Sequence, residues 1–377
     1  VQPDQVSVNV VPYSTQVNAG AALLGQFTHT AEHSYSHCLD FEGTDFDSMT
    51  MTPAGSASPK TYQLAGHFDP WSGYWGGTFA EMASNGYTPS WVCRTEPDFE
   101  IRPWSNNITD IHTQINNFTA RGNTSIDVAV KWGAALLDPS TRDVFTALRG
   151  TVVSTDFPVG RPYDHDPNDD VLKFIVVMTD GINTTQYMLR DTYRSGLSGV
   201  LRDPDSGRYS WPDEEVDDQD GDGNWNEDFW LAKNYNVSGG RYWDNTAYDS
   251  GTTGNLIALT WPELFNEMSL SHRAYSHFYQ RYYNANHYHD NYWRGNNSPR
   301  TGVNAGTKDT RLNNICTQAK NNDVIVFSVG FEVTDASAVV MQNCASSANH
   351  FYRVDGTEIE FAFTSIANQI NQLKLTQ

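Results

Sequence analysis

The chain contains 377 residues, more than one ordinary domain of roughly 150, which predicts two or three structural units or one core with large insertions. Its 24 basic and 45 acidic side chains give a net charge of −21, so nucleic acid and anionic lipid are unfavourable partners because like charges repel. Hydrophobic residues make up 38% of the chain, too many for disorder, and no apolar run approaches the roughly 18 residues of a membrane span.

The four cysteines form an N-terminal and a C-terminal couple. Of the three possible connectivities, we favour the local one, Cys38 with Cys93 and Cys316 with Cys344, which leaves no thiol spare. Four buried reduced thiols are the alternative. An even cysteine count without a Cys-x-x-Cys pair argues against a zinc ribbon and favours an oxidising, extracytoplasmic compartment: the periplasm, the outer membrane surface or the medium. The chain begins with Val1 and shows no signal segment, so we expect its start to be processed or trimmed.

The first predicted element is a strand over residues 5–12, in which Val6, Val8 and Val10 share one face that we expect to lie in the core. The following segment, 26–102, is rich in Gly, Ser, Thr, His and Trp and has no sustained period. Because both N-terminal cysteines lie in it, we interpret this segment as a disulfide-linked insertion.

The spacing of apolar residues next predicts two helices, over about 108–118 and 126–137. The almost continuous apolar run 171–178 predicts a central parallel strand buried on both faces, with Asp180 at its carboxyl end. A helix near 310–321, a strand at 324–330, a strand at 351–354 and a last helix over 359–373 follow. This alternation predicts an α/β fold, a parallel sheet flanked by helices.

About 130 residues separate Asp180 from Thr310, far more than an ordinary connection of about 2–6 residues, so a second insertion is predicted at 185–308. The core would then comprise 1–25, 103–184 and 309–377. Within the insertion, Thr260-Trp-Pro-Glu263 is a capping box, and we expect one helix with an aromatic stripe from Trp261 to Tyr282. Such Tyr and Trp residues suit either a protein interface or a surface that stacks on sugars.

The acidic segment 217–228, Asp-Asp-Gln-Asp-Gly-Asp-Gly-Asn-Trp-Asn-Glu-Asp, predicts a calcium loop. Carboxylates at alternate positions converge on one cation, and Gly223 permits the sharp turn between them. Phe229 stands where an EF-hand has a bidentate Glu, so a shorter loop would have to close the shell; a solvated acidic loop is the alternative. The predicted Ca²⁺ ligands are Asp218, Asp220, Asp222, Asn224, Asn226, Glu227 and Asp228.

A second candidate site combines Thr124 with Asp180, because ligands of open parallel sheets bind at the carboxyl ends of the strands. A Gly-Asn-Thr loop that opens a helix, with a strand that ends Met-Thr-Asp-Gly, resembles von Willebrand factor A domains, in which Thr and Asp oxygens hold a divalent cation. The resemblance implies Mg²⁺ or Ca²⁺ at Thr124 and Asp180, with one position open to a partner's carboxylate. Alternatively, both residues cap the segments that follow them.

Further motifs extend the resemblance to TadG-like proteins, which contain a von Willebrand factor A domain and belong to the tight-adherence (Tad, Flp) pilus system. They are Val11-Pro-Tyr-Ser-Thr-Gln-Val-Asn18, Gly122-Asn-Thr-Ser-Ile-Asp127, Lys131-Trp-Gly133, Leu136-Leu-Asp-Pro139, Val177-Met-Thr-Asp-Gly181, Phe327-Ser-Val-Gly-Phe331 and Cys344-Ala-Ser-Ser347. The resemblance implies a Rossmann-like fold and a metal-dependent binding or adhesion module in pilus assembly or surface attachment.

Members of that family begin with a membrane-anchoring helix and a first strand that ends Asp-x-Ser-x-Ser, and neither feature is in this chain. The chain opens on what would be the second strand, so the resemblance implies a first strand upstream or in another chain. No catalytic motif is present, and we predict no enzyme. The competing hypothesis is a stand-alone surface adhesin or self-assembling surface subunit, whose aromatic insertions contact sugars or identical subunits.

Overall fold

The computed structural model describes residues 4–71, 77–165, 171–212, 229–232, 242–244, 246–251, 255–275 and 298–376. Its helices are α1 Gly20–Leu24, α2 Phe79–Ala83, α3 Ile108–Asn116, α4 Ile126–Ala135, α5 Arg142–Leu148, α6 Trp261–Glu267, α7 Leu270–Arg273, α8 Ala305–Asn321, α9 Asp335–Cys344 and α10 Glu358–Thr376. Its strands are β1 Val8–Val10, β2 Leu39–Asp40, β3 Gln63–Leu64, β4 Arg102–Ser105, β5 Lys173–Thr179, β6 Gln186–Leu189, β7 Leu197–Arg202, β8 Tyr209–Pro212, β9 Phe229–Ala232, β10 Tyr242–Asp244, β11 Ile257–Thr260, β12 Arg300–Val303, β13 Val324–Phe331 and β14 Phe351–Val354.

A three-stranded parallel sheet in the order β14-β13-β5 forms the centre of the mixed α/β architecture. β13 is buried on both faces, as its nearly unbroken apolar sequence predicts. On one face, β5 and α4 contribute to the largest buried cluster. On the other face, Phe327 and Val329 of β13 pack with Ala362 and Ile366 of α10. The prediction of a parallel sheet with flanking helices is confirmed at this level.

The prediction that β5 is buried on both faces is wrong. Ile175 and Val177 are buried against the core, whereas Val176 and Met178, on the opposite face, are 41% and 39% exposed. Among the described residues, β5 pairs with β13 alone and therefore lies at an edge of this sheet. A continuous apolar run shows that both faces are apolar, but it does not show what covers each face.

β1 pairs antiparallel with β4 in a separate two-stranded ladder, shorter than the predicted strand over residues 5–12. Val6 and Val8 are 36% and 39% exposed, and Val10 is half-buried, so the expected core face is only partly covered. Alternation of Val and polar residues correctly predicts a strand here. It does not determine whether the apolar face meets the core.

The first predicted insertion packs directly on the core. Phe46, Met51 and Tyr62 are fully or almost fully buried and belong to the same cluster as Trp132 of α4. A disulfide joins Cys38 to Cys93, and another joins Cys316 on α8 to Cys344 at the end of α9. This is the local pairing that the sequence favours.

In the second predicted insertion, an antiparallel sheet has the strand order β10-β9-β8-β7-β11, and β6 pairs with β12 near the ends of the segment. The capping box is confirmed, since the hydroxyl of Thr260 accepts from the amide of Glu263 and the Glu263 carboxylate accepts from the amide of Thr260. The expected single helix is wrong: α6 ends where Met268 is extended, and Ser269 caps α7. The hydroxyl of Ser269 accepts from the amide of His272 and so starts a new helix. Tyr279 and Tyr282 lie outside the described residues.

Over the described ranges, no helix is both long enough and apolar enough to cross a membrane.

Candidate functional site

The candidate site lies where the loop before α4 meets the loop after β5. Gly122 has a φ of +84°, a conformation that favours glycine, and an added Cβ would come within 3.2 Å of the Thr15 hydroxyl. That hydroxyl accepts from the amide of Asn123 at 3.0 Å, while the Asn123 side chain donates to the Thr185 carbonyl at 2.7 Å. The Gly-Asn-Thr loop is therefore fixed from both sides.

Thr124 and Thr184 join the two loops by a reciprocal pair of hydrogen bonds. The Thr124 amide donates to the Thr184 hydroxyl at 2.8 Å, and the Thr184 amide donates to the Thr124 carbonyl at 3.1 Å. The side-chain oxygen of Asn183 accepts from the amide of Ile126 at 2.9 Å. Asn183, rather than Thr124, thus satisfies an amide at the start of α4, contrary to the capping alternative for Thr124.

The ammonium of Lys308, in the first turns of α8, lies between these loops. Its Nζ donates to the carbonyl of Thr124 at 2.6 Å, to the hydroxyl of Ser125 at 2.6 Å and to the carbonyl of Thr184 at 2.8 Å. Ser125 in turn donates its proton to the carbonyl of Thr15 at 2.7 Å. Lys308 is completely buried, so this ammonium is held by the protein and not by solvent.

Asp127, in the first turn of α4, balances that charge. Its Oδ1 lies 4.0 Å from Nζ of Lys308, and both side chains have no exposed surface. Burial lowers the pKa of Lys308 to about 8 and raises the pKa of Asp127 to about 6, while the attraction between the two charges opposes both shifts. Each charge thus offsets part of the cost of burying the other.

Asp180, the other predicted ligand of this site, is exposed at the carboxyl end of β5. Nearby, the hydroxyl of Tyr13 donates to the carbonyl of Met178 at 2.5 Å. Burial raises the pKa of Tyr13 to about 12, and the negative charge of Asp180 adds to that rise. The structure thus brings the segment that follows Asp180 onto the Thr124 loop, while the Thr124 carbonyl binds the Lys308 ammonium.

A second buried lysine, Lys131, lies one helical turn after Asp127 on α4. Its ammonium donates to three consecutive carbonyls of the first predicted insertion, those of Ser48 at 2.7 Å, Met49 at 3.3 Å and Thr50 at 2.9 Å. Burial lowers its pKa to about 8. Lys131 therefore fastens the insertion to the helix that also carries Asp127.

The seven predicted ligands of the calcium loop, Asp218 to Asp228, lie outside the described residues. Within the described part of the chain, no group of three or more His, Cys, Asp or Glu side chains is arranged to hold a metal ion. The calcium prediction therefore stays a prediction.

The sequence did not single out Lys308, Asn183 or the role of Asp127. Lys308 is 184 positions from Thr124 along the chain, and lysine is ordinarily an exposed residue. The one available signal is the position of Asp127 and Ser125 beside Thr124 in the Gly122–Asp127 motif.

No family model matches the chain, and no curated protein matches it either. Among solved structures, the chain is similar to the crystal structure of the vWF domain of the type V pili tip protein Mfa5 from Porphyromonas gingivalis. The two are 12% identical with a TM-score of 0.28, over 71% of this chain and 74% of that chain. At that score the likeness carries no weight, and function has to be inferred from the chain's own residues.

Proposed function

We propose that this protein is a non-catalytic binding or adhesion module that acts outside the cytoplasm. Two disulfides, with no free cysteine in the chain, support an oxidising compartment. The polar groups that converge at the carboxyl edge of the sheet bind one another, since Lys308, Thr124 and Thr184 form one closed set of hydrogen bonds. Such an arrangement supports a scaffold that presents a surface rather than a reacting group.

The observation that carries this proposal is the uncovered apolar face of β5. In the parallel register, Val176 pairs with Phe327 and Met178 pairs with Val329, so these four side chains share one face of the sheet. Phe174 at the start of β5 packs with the α10 cluster on that face. Among the described residues nothing covers Val176 and Met178 further along the strand, and the 50% exposed Ile182 lies just beyond it. Among the described residues no strand pairs with the outer edge of β5, and an apolar surface beside such an edge is typical of a contact with another protein.

We further propose that the acidic segment 217–228 binds Ca²⁺ and stiffens the second insertion. Six acidic side chains in twelve residues support this, because mutual repulsion would otherwise oppose a folded loop. The test is thermal unfolding with 1 mM Ca²⁺, 1 mM Mg²⁺ or excess EDTA. We expect Ca²⁺ to raise the Tm of the parent protein, since a ligand of the native state must stabilise it. Asp220→Asn with Asp222→Asn should abolish the gain, and an unchanged gain in that variant would contradict the assignment.

The motif resemblance to TadG-like proteins supports a finer proposal, that the module serves tight-adherence pilus assembly, anchoring or surface attachment. Sugar binding through the aromatic insertions is the competing function. Among the aromatic side chains of these insertions whose burial the structure describes, Tyr35 is exposed, and rings such as His67 and Trp91 pack on each other with centroids 4.0 Å apart.

The test replaces the chromosomal gene with one that encodes Val176→Asp and Met178→Asp, in the cells that make the protein. We expect normal protein levels with loss of surface attachment or of assembled pili, because two carboxylates disrupt an apolar contact. The matched control is Val159→Asp with Val339→Asp, two side chains that are 65% and 56% exposed elsewhere. Attachment and pili that are unchanged in the β5 variant, or equally reduced in the control, would contradict the proposal.

A further inference from the structure

Three separate parts of the chain meet at one buried point, two of which supply oxygen atoms and the third a cation. They are the start of α4 with Thr124 and Ser125, the loop after β5 with Thr184, and α8, which supplies the cation through Lys308. A side-chain bond of 2.9 Å from Asn183 to Asp309 ties the β5 loop to α8 a second time. This arrangement resembles a small cation-binding site in which the cation is the side-chain ammonium of Lys308.

All three N–H groups of the Lys308 ammonium are used in this cage, by which we mean the Thr124 carbonyl, the Ser125 hydroxyl and the Thr184 carbonyl. An ammonium carries three N–H groups and no acceptor, and the three oxygens at 2.6, 2.6 and 2.8 Å match them one for one. Asp127, at 4.0 Å, supplies the opposite charge that a buried cation requires. Nothing further is needed to satisfy the charge or the hydrogen bonds of Lys308.

A divalent ion held by the Thr124 hydroxyl would lie on the same residue whose carbonyl binds that ammonium. Mg²⁺ requires six oxygens in near-octahedral geometry, and Ca²⁺ takes six to eight. Because the buried Lys308 ammonium binds the Thr124 carbonyl at 2.6 Å, it lies beside any divalent cation that the hydroxyl of the same residue would hold, and the two positive charges repel each other. The residues present therefore fit a lysine better than the metal that the motif at Thr124 and Asp180 implies.

We propose that Lys308 is a built-in cation that organises the carboxyl edge of the parallel sheet in place of a dissociable metal ion. The edge then keeps its shape at any metal concentration, and a calcium requirement of the protein belongs to the acidic segment 217–228 alone. This proposal goes beyond the proposed binding function and does not depend on which partner the β5 face contacts.

Two consequences distinguish a cation site from ordinary packing. With Lys308 in place, the Thr124 site should bind no Mg²⁺ and should not respond to EDTA. Once the ammonium is removed by Lys308→Ala, three oxygens and the Asp127 carboxylate remain around a space, and a small divalent cation should be able to enter. Lys131→Ala leaves three carbonyls from one loop, and no carboxylate of the described residues is hydrogen-bonded to that ammonium. This variant should therefore gain no stabilisation by divalent cations.

The experiment uses the full chain with Asp220→Asn and Asp222→Asn as background, so that the acidic loop does not contribute. Thermal unfolding is measured in EDTA and in 5 mM Mg²⁺ or Ca²⁺ for the background and for the added variants Lys308→Ala, Lys308→Ala with Asp127→Asn, and Lys131→Ala. We expect no metal effect on the background and a Tm several degrees lower for Lys308→Ala in EDTA. A divalent cation should restore part of that loss of Tm, and the restoration should require Asp127. The Tm of Lys131→Ala should also be lower than that of the background, but neither ion should raise it again.

Calorimetric titration of Mg²⁺ into the background protein keeps the proposal testable even if Lys308→Ala does not fold. No binding is expected, and saturable binding at one site per chain would overturn the proposal. A background protein that loses stability in EDTA, or a folded Lys308→Ala that gains nothing from either ion, would overturn it as well. The β5 variants test the binding function separately, so the two proposals can fail independently.

Discussion

The two buried lysines, Lys131 and Lys308, differ in which parts of the chain their ammonium groups join. Lys131 donates to three successive carbonyls of a single loop, residues 48–50, and no carboxylate accepts a hydrogen bond from it in the described chain. Lys308 donates to oxygens from two loops that are about 60 residues apart in sequence, and Asp127 lies 4.0 Å away. Burial lowers the pKa of both ammonium groups to about 8.

The difference shows two uses of a buried positive charge. Lys131 caps the carbonyls of one turn and attaches the first predicted insertion to α4, so its loss should release a peripheral segment. Lys308 of α8 is hydrogen-bonded to both the start of α4 and the loop after β5. Removal of its ammonium should therefore loosen the edge of the sheet itself. The paired carboxylate adds a second distinction, because a buried charge without its partner is costly.

The largest expected effect comes from removal of each ammonium. Lys308→Met should lower the free energy of unfolding by about 3–5 kcal/mol, the range found when one partner of a buried ion pair is removed. Lys131→Met should lower it by about 1–3 kcal/mol, because the acceptors it leaves unpaired are neutral carbonyls. Urea unfolding followed by tryptophan fluorescence measures both. Equal losses, or a larger loss for Lys131→Met, would contradict the distinction between the two cages.

A double-mutant cycle gives a smaller but more specific effect. Adding Asp127→Asn to Lys308→Met removes the stranded carboxylate, so we expect the double variant to recover about 1–3 kcal/mol relative to Lys308→Met. The control combines Asp127→Asn with Lys131→Met, whose ammonium binds the carbonyls of residues 48–50 instead. There we expect a smaller coupling, because the two residues are neighbours on one helix but the Lys131 ammonium is directed at other acceptors. Coupling of the same size in both cycles would show that Asp127 has no specific partner.

The order of strands and helices in the parallel core could be predicted because its signals are local. Apolar runs at 171–178 and 324–330 and helical spacing after residue 126 produce β5, β13 and α4 close to the expected bounds. The cover over each face of β5 depends on how far the contact with α10 extends. The residues of α10 lie about 190 positions further along the chain, so the apolar run of β5 itself does not reveal this contact. The break at Met268 was missed for a related reason, since Ser269 begins a new helix inside an apolar spacing that suits one helix.

The candidate site was predicted in position but not in composition. Thr124 and the segment after Asp180 do meet, because the loop after β5 crosses the start of α4. The central charge was not predictable, since Lys308 lies in a polar helix where lysine normally faces solvent. A motif shows which loops converge, whereas the group that occupies the space between them depends on long-range packing.

The smallest expected effect is a pH dependence that isolates Lys131. Its folded-state pKa, about 8, is below the usual lysine value of 10.5, so between these values the unfolded chain binds a proton that the folded chain does not. Stability contributed by this residue must therefore rise as the pH rises through that window. Below about pH 8 the contribution is constant, because the amine is protonated in both states.

The measurement compares the parent protein with Lys131→Met at pH 7 and at pH 9. The difference between their free energies of unfolding should increase by about 1 kcal/mol, since one pH unit above the folded pKa corresponds to about 1.4 kcal/mol. Asp45, Asp138 and Lys60 also act on this ammonium, but they are present in both proteins, so their own titration largely cancels in the difference. A difference that stays flat or decreases would show that the Lys131 ammonium remains charged throughout, held by the three carbonyls of residues 48–50 more strongly than burial opposes it.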